Sequence, residues 1–163
     1  VGDQPPQVIE LQAVDDTTPR PHSSSPYEDW GDRDPDAQPR GLERWLILDD
    51  GVPVGDMSAH PHFYGPNVGS MAMNLGISIA DAHQGRGIGT QAQRMLAELL
   101  HSRGIVRVEA STDISNIAEQ RALAKAGFVC EGVLVRAQMR GDGRHDLQLW
   151  AHLAPEIADA PGV

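Results

Sequence analysis

The sequence predicts an α/β fold: a central, mixed, mostly antiparallel twisted sheet of six to seven strands, with a parallel strand–helix–strand core and helices on both faces. Three observations lead to it. A strand-like run, Asn74-Leu75-Gly76-Ile77-Ser78-Ile79-Ala80, passes through a glycine-rich turn into an amphipathic helix and then a second strand, Ile105 to Ala110. That order with a helix of about 14 residues is a parallel crossover, which is right-handed in nearly every known case. Asp49-Asp50-Gly51 between two apolar runs is a hairpin signal. Phe128 to Val135 and His145 to His152 read as a late antiparallel pair across a loop containing Gly141-Asp142-Gly143.

The first 40 residues are rich in proline, with Pro5, Pro6, Pro19, Pro21, Pro26, Pro35 and Pro39, and hold Ser23-Ser24-Ser25. They read as loop, except that Val8 to Val14 alternates well enough for a strand. Arg44 to Leu48 and Val52 to Ser58 form the hairpin, with Pro53 suited to a strand start or an edge. Pro61, Gly65-Pro66-Asn67 and Gly69 mark a long turn before a strand over about Ser70 to Ile79. Apolar residues then fall at Ile88, Ala92, Met95, Leu96, Leu99 and Leu100, one buried helical face that Arg103-Gly104 ends. A second helix over Ile117 to Ala126 is stopped by Gly127. There is no internal repeat, and the 163 residues suit one domain: a proline-rich part at 1–43, a core at 44–153 and a tail at 154–163.

The chemistry concentrates in Gln84-Gly85-Arg86-Gly87-Ile88-Gly89-Thr90. A strand, a glycine turn and a helix start build a phosphate cradle: glycines take φ > 0 and let the backbone approach an anion, and the unpaired N–H groups of the first helical turn point at it. The dinucleotide fingerprint G-x-G-x-x-G fails, because Thr90 stands where the third glycine belongs and no acidic residue lies about 20 residues on. The triphosphate loop fails for lack of a lysine after the glycines. What fits is Gln-x-x-Gly-x-Gly at Gln84, Gly87 and Gly89. It resembles the pyrophosphate-binding motif of the GCN5-related N-acetyltransferase (GNAT) superfamily, whose co-substrate is acyl-coenzyme A. The alternative at this point is a turn that merely links strand to helix.

The later chain extends the resemblance. Asn116, a short helix, Lys125-x-Gly127-Phe128 and Glu131-Gly132 look like the second half of the same superfamily. Ala110 to Asn116, with Glu131-Gly132, Asp146 and Trp150, is similar to its branch of RimJ/RimL-like ribosomal-protein N-terminal acetyltransferases, over roughly residues 44–153. The resemblance implies transfer of an acetyl group from acetyl-coenzyme A, as co-substrate and without a metal, to a primary amine of a protein N-terminus or a small molecule, by direct attack in a ternary complex. Gly85, Arg86, Gly87, Ile88, Gly89 and Thr90 would offer backbone N–H groups to the pyrophosphate, with Gln84 bracing the turn. Arg86 or Arg94 would either add charge near the phosphates or face solvent. Ile77, Ser78 and Ile79 would present backbone groups to the pantetheine arm, one of them polarising the thioester carbonyl. Asn116 matches the residue that contacts the pantetheine region.

The amine attacks as a neutral base, and an N-terminal α-amine, with a pKa of about 7.7–8.0, needs less help than a lysine near 10.4. Glu109 and His60 are the candidate bases, with His62 behind them. His60-Pro61-His62 has no third ligand for a metal. The acid for the departing thiolate is missing from its two usual places. Leu123 stands where many relatives have Tyr, and Glu119 where the ribosomal branch often has Ser; Ser115 or Tyr64 would have to substitute. Competing readings are a non-catalytic acyl-coenzyme A-binding protein or sensor, and an acyltransferase that delivers a longer acyl group to a small metabolite.

Composition bounds the partners. A net charge of −10 argues against nucleic acid and against acidic membranes. Glu28, Asp29, Asp32, Asp34 and Asp36 read as a solvated loop or as a lip that attracts a cationic amine. Tyr27 and Trp30 are candidates to line the acceptor region. The single cysteine, Cys130, fits a reducing cytosol and reads as a buried core thiol. No apolar run reaches a membrane span and no signal peptide is visible, so the expectation is a cytoplasmic monomer or homodimer.

Overall fold

A computed structural model describes residues 7–29 and 40–155. Among these residues seven strands form one sheet in the order β1-β2-β3-β4-β5-β7-β6: β1 Ile9–Val14, β2 Glu43–Asp49, β3 Val52–Phe63, β4 Met71–Ile79, β5 Arg107–Asp113, β6 Val129–Arg140 and β7 Gly143–Leu153. Neighbours run antiparallel except β4 and β5. Helix α1, Ile88–Ser102, joins β4 to β5, and α2, Ile117–Ala126, joins β5 to β6.

The hairpin at Asp50-Gly51 has both residues at positive φ, 49° and 79°, as a tight turn matched to strand twist requires. Alternation then sorts the side chains. Trp45 and Ile47 of β2, Met57 and Ala59 of β3, Met73 and Leu75 of β4, and Val108 and Ala110 of β5 point to one face. There they meet Ile88, Ala92, Leu96 and Leu100 of α1 and Leu123 and Ala126 of α2 in a single apolar cluster. Both α-helices therefore share one face, where helices on both faces were expected. The reason is topological: β5 and β6 both run antiparallel to β7, hence parallel to each other, so β4–α1–β5 and β5–α2–β6 advance the same way across the sheet. Two right-handed crossovers in the same direction put their helices on the same side. The other face meets a coil that includes the 3-10 turn Pro26–Glu28.

The β6–β7 hairpin is tighter than expected, with Arg140 paired to Gly143, so β6 extends five residues beyond Val135. It is an edge strand, and Val129, Val133 and Val135 are exposed on it. Cys130 lies on the same strand and is exposed too, which corrects the expectation of a buried thiol: no described element covers this edge. Trp30, Asp32, Asp34, Asp36 and the Glu28 side chain lie outside the described residues. No described helix is long and apolar enough to cross a membrane.

Candidate active site

The glycine turn does two jobs before any ligand is considered. Gly87 caps α1 at φ 79° and Gly85 sits at 72°, both in the left-handed region that only glycine enters without strain. An added Cβ on either would meet nothing within 4 Å, so conformation rather than space demands glycine here. The first helical bond runs from Gln91 N to Gly87 O (3.1 Å), and no side chain caps the helix. The N–H groups of Ile88, Gly89 and Thr90 are thus without helical carbonyls, at the positive end of a 15-residue helix whose first turn has no acidic residue. Gln84 Nε2 donates to Ile79 O (2.9 Å) and Asp81 Oδ1 (3.3 Å), fastening the turn to the end of β4. Arg86 pairs with Asp49 (3.2 Å) and donates to His83 Nδ1 (3.1 Å), and Arg94 donates to the Lys125 carbonyl (2.5 Å).

Beside this helix start the sheet splits. β4 and β5 pair only from Ala72↔Arg107 to Leu75↔Ala110. Past that point β4 follows β3 to the Gly55↔Ile79 pair, and β5 follows β7 to Asp113↔Leu147. The strand ends diverge and open a cleft of about 1250 Å³. Gly76, Ile77 and Ser78 form one wall, and Ala110, Ser111 and Thr112 the other. On that edge β4 has lost its strand partner, so its backbone polar groups are available to an extended ligand, as at any open sheet edge.

Asn116 reaches the cleft from the start of α2, where its side-chain oxygen accepts from Glu119 N (3.3 Å) as an N-cap. Glu119 lines the cleft one turn on and accepts a hydrogen bond from Gln93 Nε2 of α1. Burial, only partly offset by that bond, pushes the Glu119 carboxyl up to about 7. From β3, His60 lines the same cleft; burial first, and then the neighbouring His62, hold its pKa below the usual 6.5. Tyr27 lies at the cleft, with Arg140 stacked 5.4 Å from its ring.

Other candidates are placed elsewhere. Glu109 is fully buried and is not in the cleft lining. It accepts from Tyr64 Oη (2.5 Å) and Arg107 Nε (2.5 Å), and His62 Nδ1 is 3.2 Å from its other oxygen. Burial alone would raise its pKa, but these three partners outweigh it and hold the carboxyl below the usual carboxylate range. Tyr64 is thereby engaged at the same cluster. Ser115 donates to Asp113 Oδ1 (2.7 Å), within a network in which Arg140 Nη1 (2.8 Å) and His145 Nδ1 (2.6 Å) hold the other oxygen. His60 and His62 belong to no group of three or more metal-ligating side chains among the described residues. The sequence reading passed over Gln93, although a polar residue among Ile88, Ala92, Leu96 and Leu100 on the buried face of α1 is a visible departure.

A family model described as an acetyltransferase (GNAT) domain matches residues 5–129. A probable N-acetyltransferase of Bacillus subtilis, YjcK, is 34% identical over 84 residues, covering 50% of this chain and 46% of its own length. Mycobacterium smegmatis RimJ, solved with a coenzyme A disulfide, superposes with a TM-score of 0.62 at 26% identity over 72% of this chain and 56% of its own. A Salmonella typhimurium acetyltransferase described as modifying the N-terminal serine of a 50S ribosomal subunit protein gives 0.60 at 23% identity, over 70% of this chain and 64% of its own. The chain thus spans about half the length of the curated relative and under two thirds of these solved ones.

Proposed function

The chain belongs to the GNAT acetyltransferase family, and from that premise we propose that it transfers an acetyl group from acetyl-coenzyme A to a primary amine by direct attack. The observation that carries this reading is the divergence of β4 from β5 after Leu75 and Ala110, directly beside the uncapped, glycine-built start of α1. The residues present fit the co-substrate. The free N–H groups of Ile88, Gly89 and Thr90 suit a pyrophosphate, and the open β4 edge at Gly76, Ile77 and Ser78 suits an amide-bearing arm laid alongside it like an added strand. A backbone N–H at that edge would stabilise negative charge on the thioester oxygen. Asn116, which lines the same cleft, would contact the far side of the arm.

His60 is the base in this reading. Its lowered pKa keeps the imidazole neutral near pH 7 and able to accept a proton from the amine as the new bond forms. Among the cleft-lining residues it is the one neutral base on β3, across from the arm. The acceptor is an amine of a protein N-terminus or of a small molecule. The RimJ-like fold favours the former, by analogy of fold alone.

The experiment has two steps. Calorimetric titration with acetyl-coenzyme A tests the binding half of the reading. Thiol release on adding three-residue peptides with free α-amines, diamines or amino acids tests the reaction. Saturable binding followed by amine-dependent release supports an acetyltransferase. Binding without release by any amine supports a non-catalytic acyl-coenzyme A-binding protein instead, and release only with longer acyl donors moves the donor class.

A further inference from the structure

The mechanism above uses a base but leaves the departing sulfur without a proton. The described cleft contains two carboxyl side chains, Asp56 and Glu119. Asp56 stands on β3 opposite Ser78 of β4 and is ion-paired with Arg20, 3.6 Å away, which favours its carboxylate form. Glu119 stands in the first turn of α2, three residues after Asn116 and therefore on the same side of that helix, and both line the cleft. Its single side-chain partner among the described residues is the neutral amide of Gln93, a residue 1% exposed at the interface of the two helices. The Oε1 atom of Gln93 is buried with no partner among the described residues. The pair is thus not closed on itself: Gln93 engages one Glu119 carboxyl oxygen, and the other accepts no hydrogen bond from a described residue.

We propose that Glu119, in its neutral form, is the acid that protonates the sulfur of coenzyme A as it leaves, with Gln93 as the residue that positions its carboxyl. The proposal rests on the acetyltransferase reading and assigns a role within it. The step balances as follows. The amine nitrogen bonds to the acyl carbon, and the carbon–sulfur bond breaks with its electron pair on sulfur. The Glu119 proton moves to that sulfur, giving the free thiol and a carboxylate. The amine's proton passes to His60 and then to water, and Glu119 regains a proton from water. An ordinary surface carboxyl would be ionised at neutral pH and unable to give a proton; burial beside a neutral partner keeps a large fraction of this one protonated. Among the described residues no charged side chain pairs with it. Arg94 on α1 is turned to the Lys125 carbonyl. On β5, Asp113 is held by Ser115, Arg140 and His145, and Glu109 by its own three partners. On β6, Arg140 is engaged with Asp113, and Glu131 with Arg107.

The test compares the wild type with Glu119→Gln, which keeps size and hydrogen bonding but has no acidic proton, using the amine that gives the fastest thiol release. The expected result is a kcat lower by about 10²-fold, a KM and Kd for acetyl-coenzyme A changed by less than about 3-fold, and loss of the alkaline limb of kcat, which in the wild type falls as pH rises through about 7. Gln93→Leu should lower kcat and shift that limb without abolishing it, because it removes the positioning bond and not the acid. A Glu119→Gln variant that keeps both kcat and the alkaline limb overturns the inference and leaves the acetyltransferase reading standing. A wild type that binds no acetyl-coenzyme A, or releases no thiol with any amine, overturns the reading beneath it.

Discussion

Asn74 and Glu109 are paired neighbours on β4 and β5, yet only Asn74 lines the cleft. Glu109 is taken up by Tyr64, Arg107 and His62, which reach it from the turn after β3, from β5 and from β3. The carboxylate that the sequence offers as a base is spent on holding the closed end of the parallel pair.

Glu109→Gln should therefore act on stability first. The change weakens the bonds from Tyr64, Arg107 and His62 while Arg107 keeps its ion pair with Glu131, and costs about 1.5–3 kcal/mol, read as a lower midpoint in urea unfolding. The folded variant should keep kcat within a few-fold. A folded and stable variant with kcat lower by 10²-fold or more would instead return Glu109 to the role of base.

His60→Gln should do the reverse. The expected outcome is a loss of about 10²-fold in kcat with an unchanged midpoint of unfolding and an unchanged KM for acetyl-coenzyme A. The pKa of His60 is lowered from 6.5 by burial and by His62, so the acid limb of the wild-type kcat profile should lie below pH 6.5 and vanish in the variant. An acid limb that persists in His60→Gln belongs to another group.

Glu119 carries a second, purely thermodynamic signature. Its folded-state pKa is raised from 4.5 to about 7, so between those values the folded state holds a proton that the unfolded chain has lost. Stability from this group is present below the unfolded pKa and is lost as pH rises through the folded one. Glu119→Gln should then melt higher than the wild type at pH 8, by an amount on the order of 3 kcal/mol at most, and nearly level with it at pH 4.5. Equal melting of the two proteins at pH 8 would show that the carboxyl is well solvated.

How much of this was legible follows from the range of the interactions. The turn at Gln84–Thr90 could be read directly, because glycines at positive φ and a bracing Gln84 lie within a few residues of each other. The hairpin at Asp50-Gly51 was legible for the same reason. The first residues of β5 were not. Ile105 N closes the end of α1 on Leu100 O (3.1 Å), so the strand begins at Arg107, two residues after the apolar run starts. Nor was the fate of Glu109, whose partners Tyr64 and His62 are 45 and 47 residues away and meet it only through the β3–β4–β5 pairing. Glu119 was read from its sequence position as a missing acid. What gives that carboxyl its proton is burial against Gln93 on the other helix, which no local pattern encodes.

Another pH-dependent element lies below the site. His101 Nε2 and His152 Nδ1 share a hydrogen bond of 2.8 Å under the helix layer, with Phe128 5.2 Å from the His152 ring. Burial, and then His101, lower the pKa of His152 from 6.5. The unfolded state therefore takes up a proton first as pH falls, so the stability that the neutral pair contributes is full above 6.5 and is lost as pH drops through the folded value. The difference in melting temperature between the wild type and His152→Asn should therefore shrink from pH 7.5 to 5.5; a difference that stays constant over that range would assign the pH dependence to other groups.

The central claim is that the start of α1 and the split between β4 and β5 hold acetyl-coenzyme A, and Gly89→Asp tests it most directly. A Cβ at Gly89 meets its nearest neighbour, Ile77 Cδ1, at 3.7 Å, and its φ is not in the left-handed region, so the side chain fits. A carboxylate in the first turn favours the helix and repels a pyrophosphate. The account predicts an unchanged or higher melting temperature together with loss of acetyl-coenzyme A binding by at least about 10-fold in calorimetric titration, a change of about 1.4 kcal/mol. A variant that binds acetyl-coenzyme A as tightly as the wild type would contradict it.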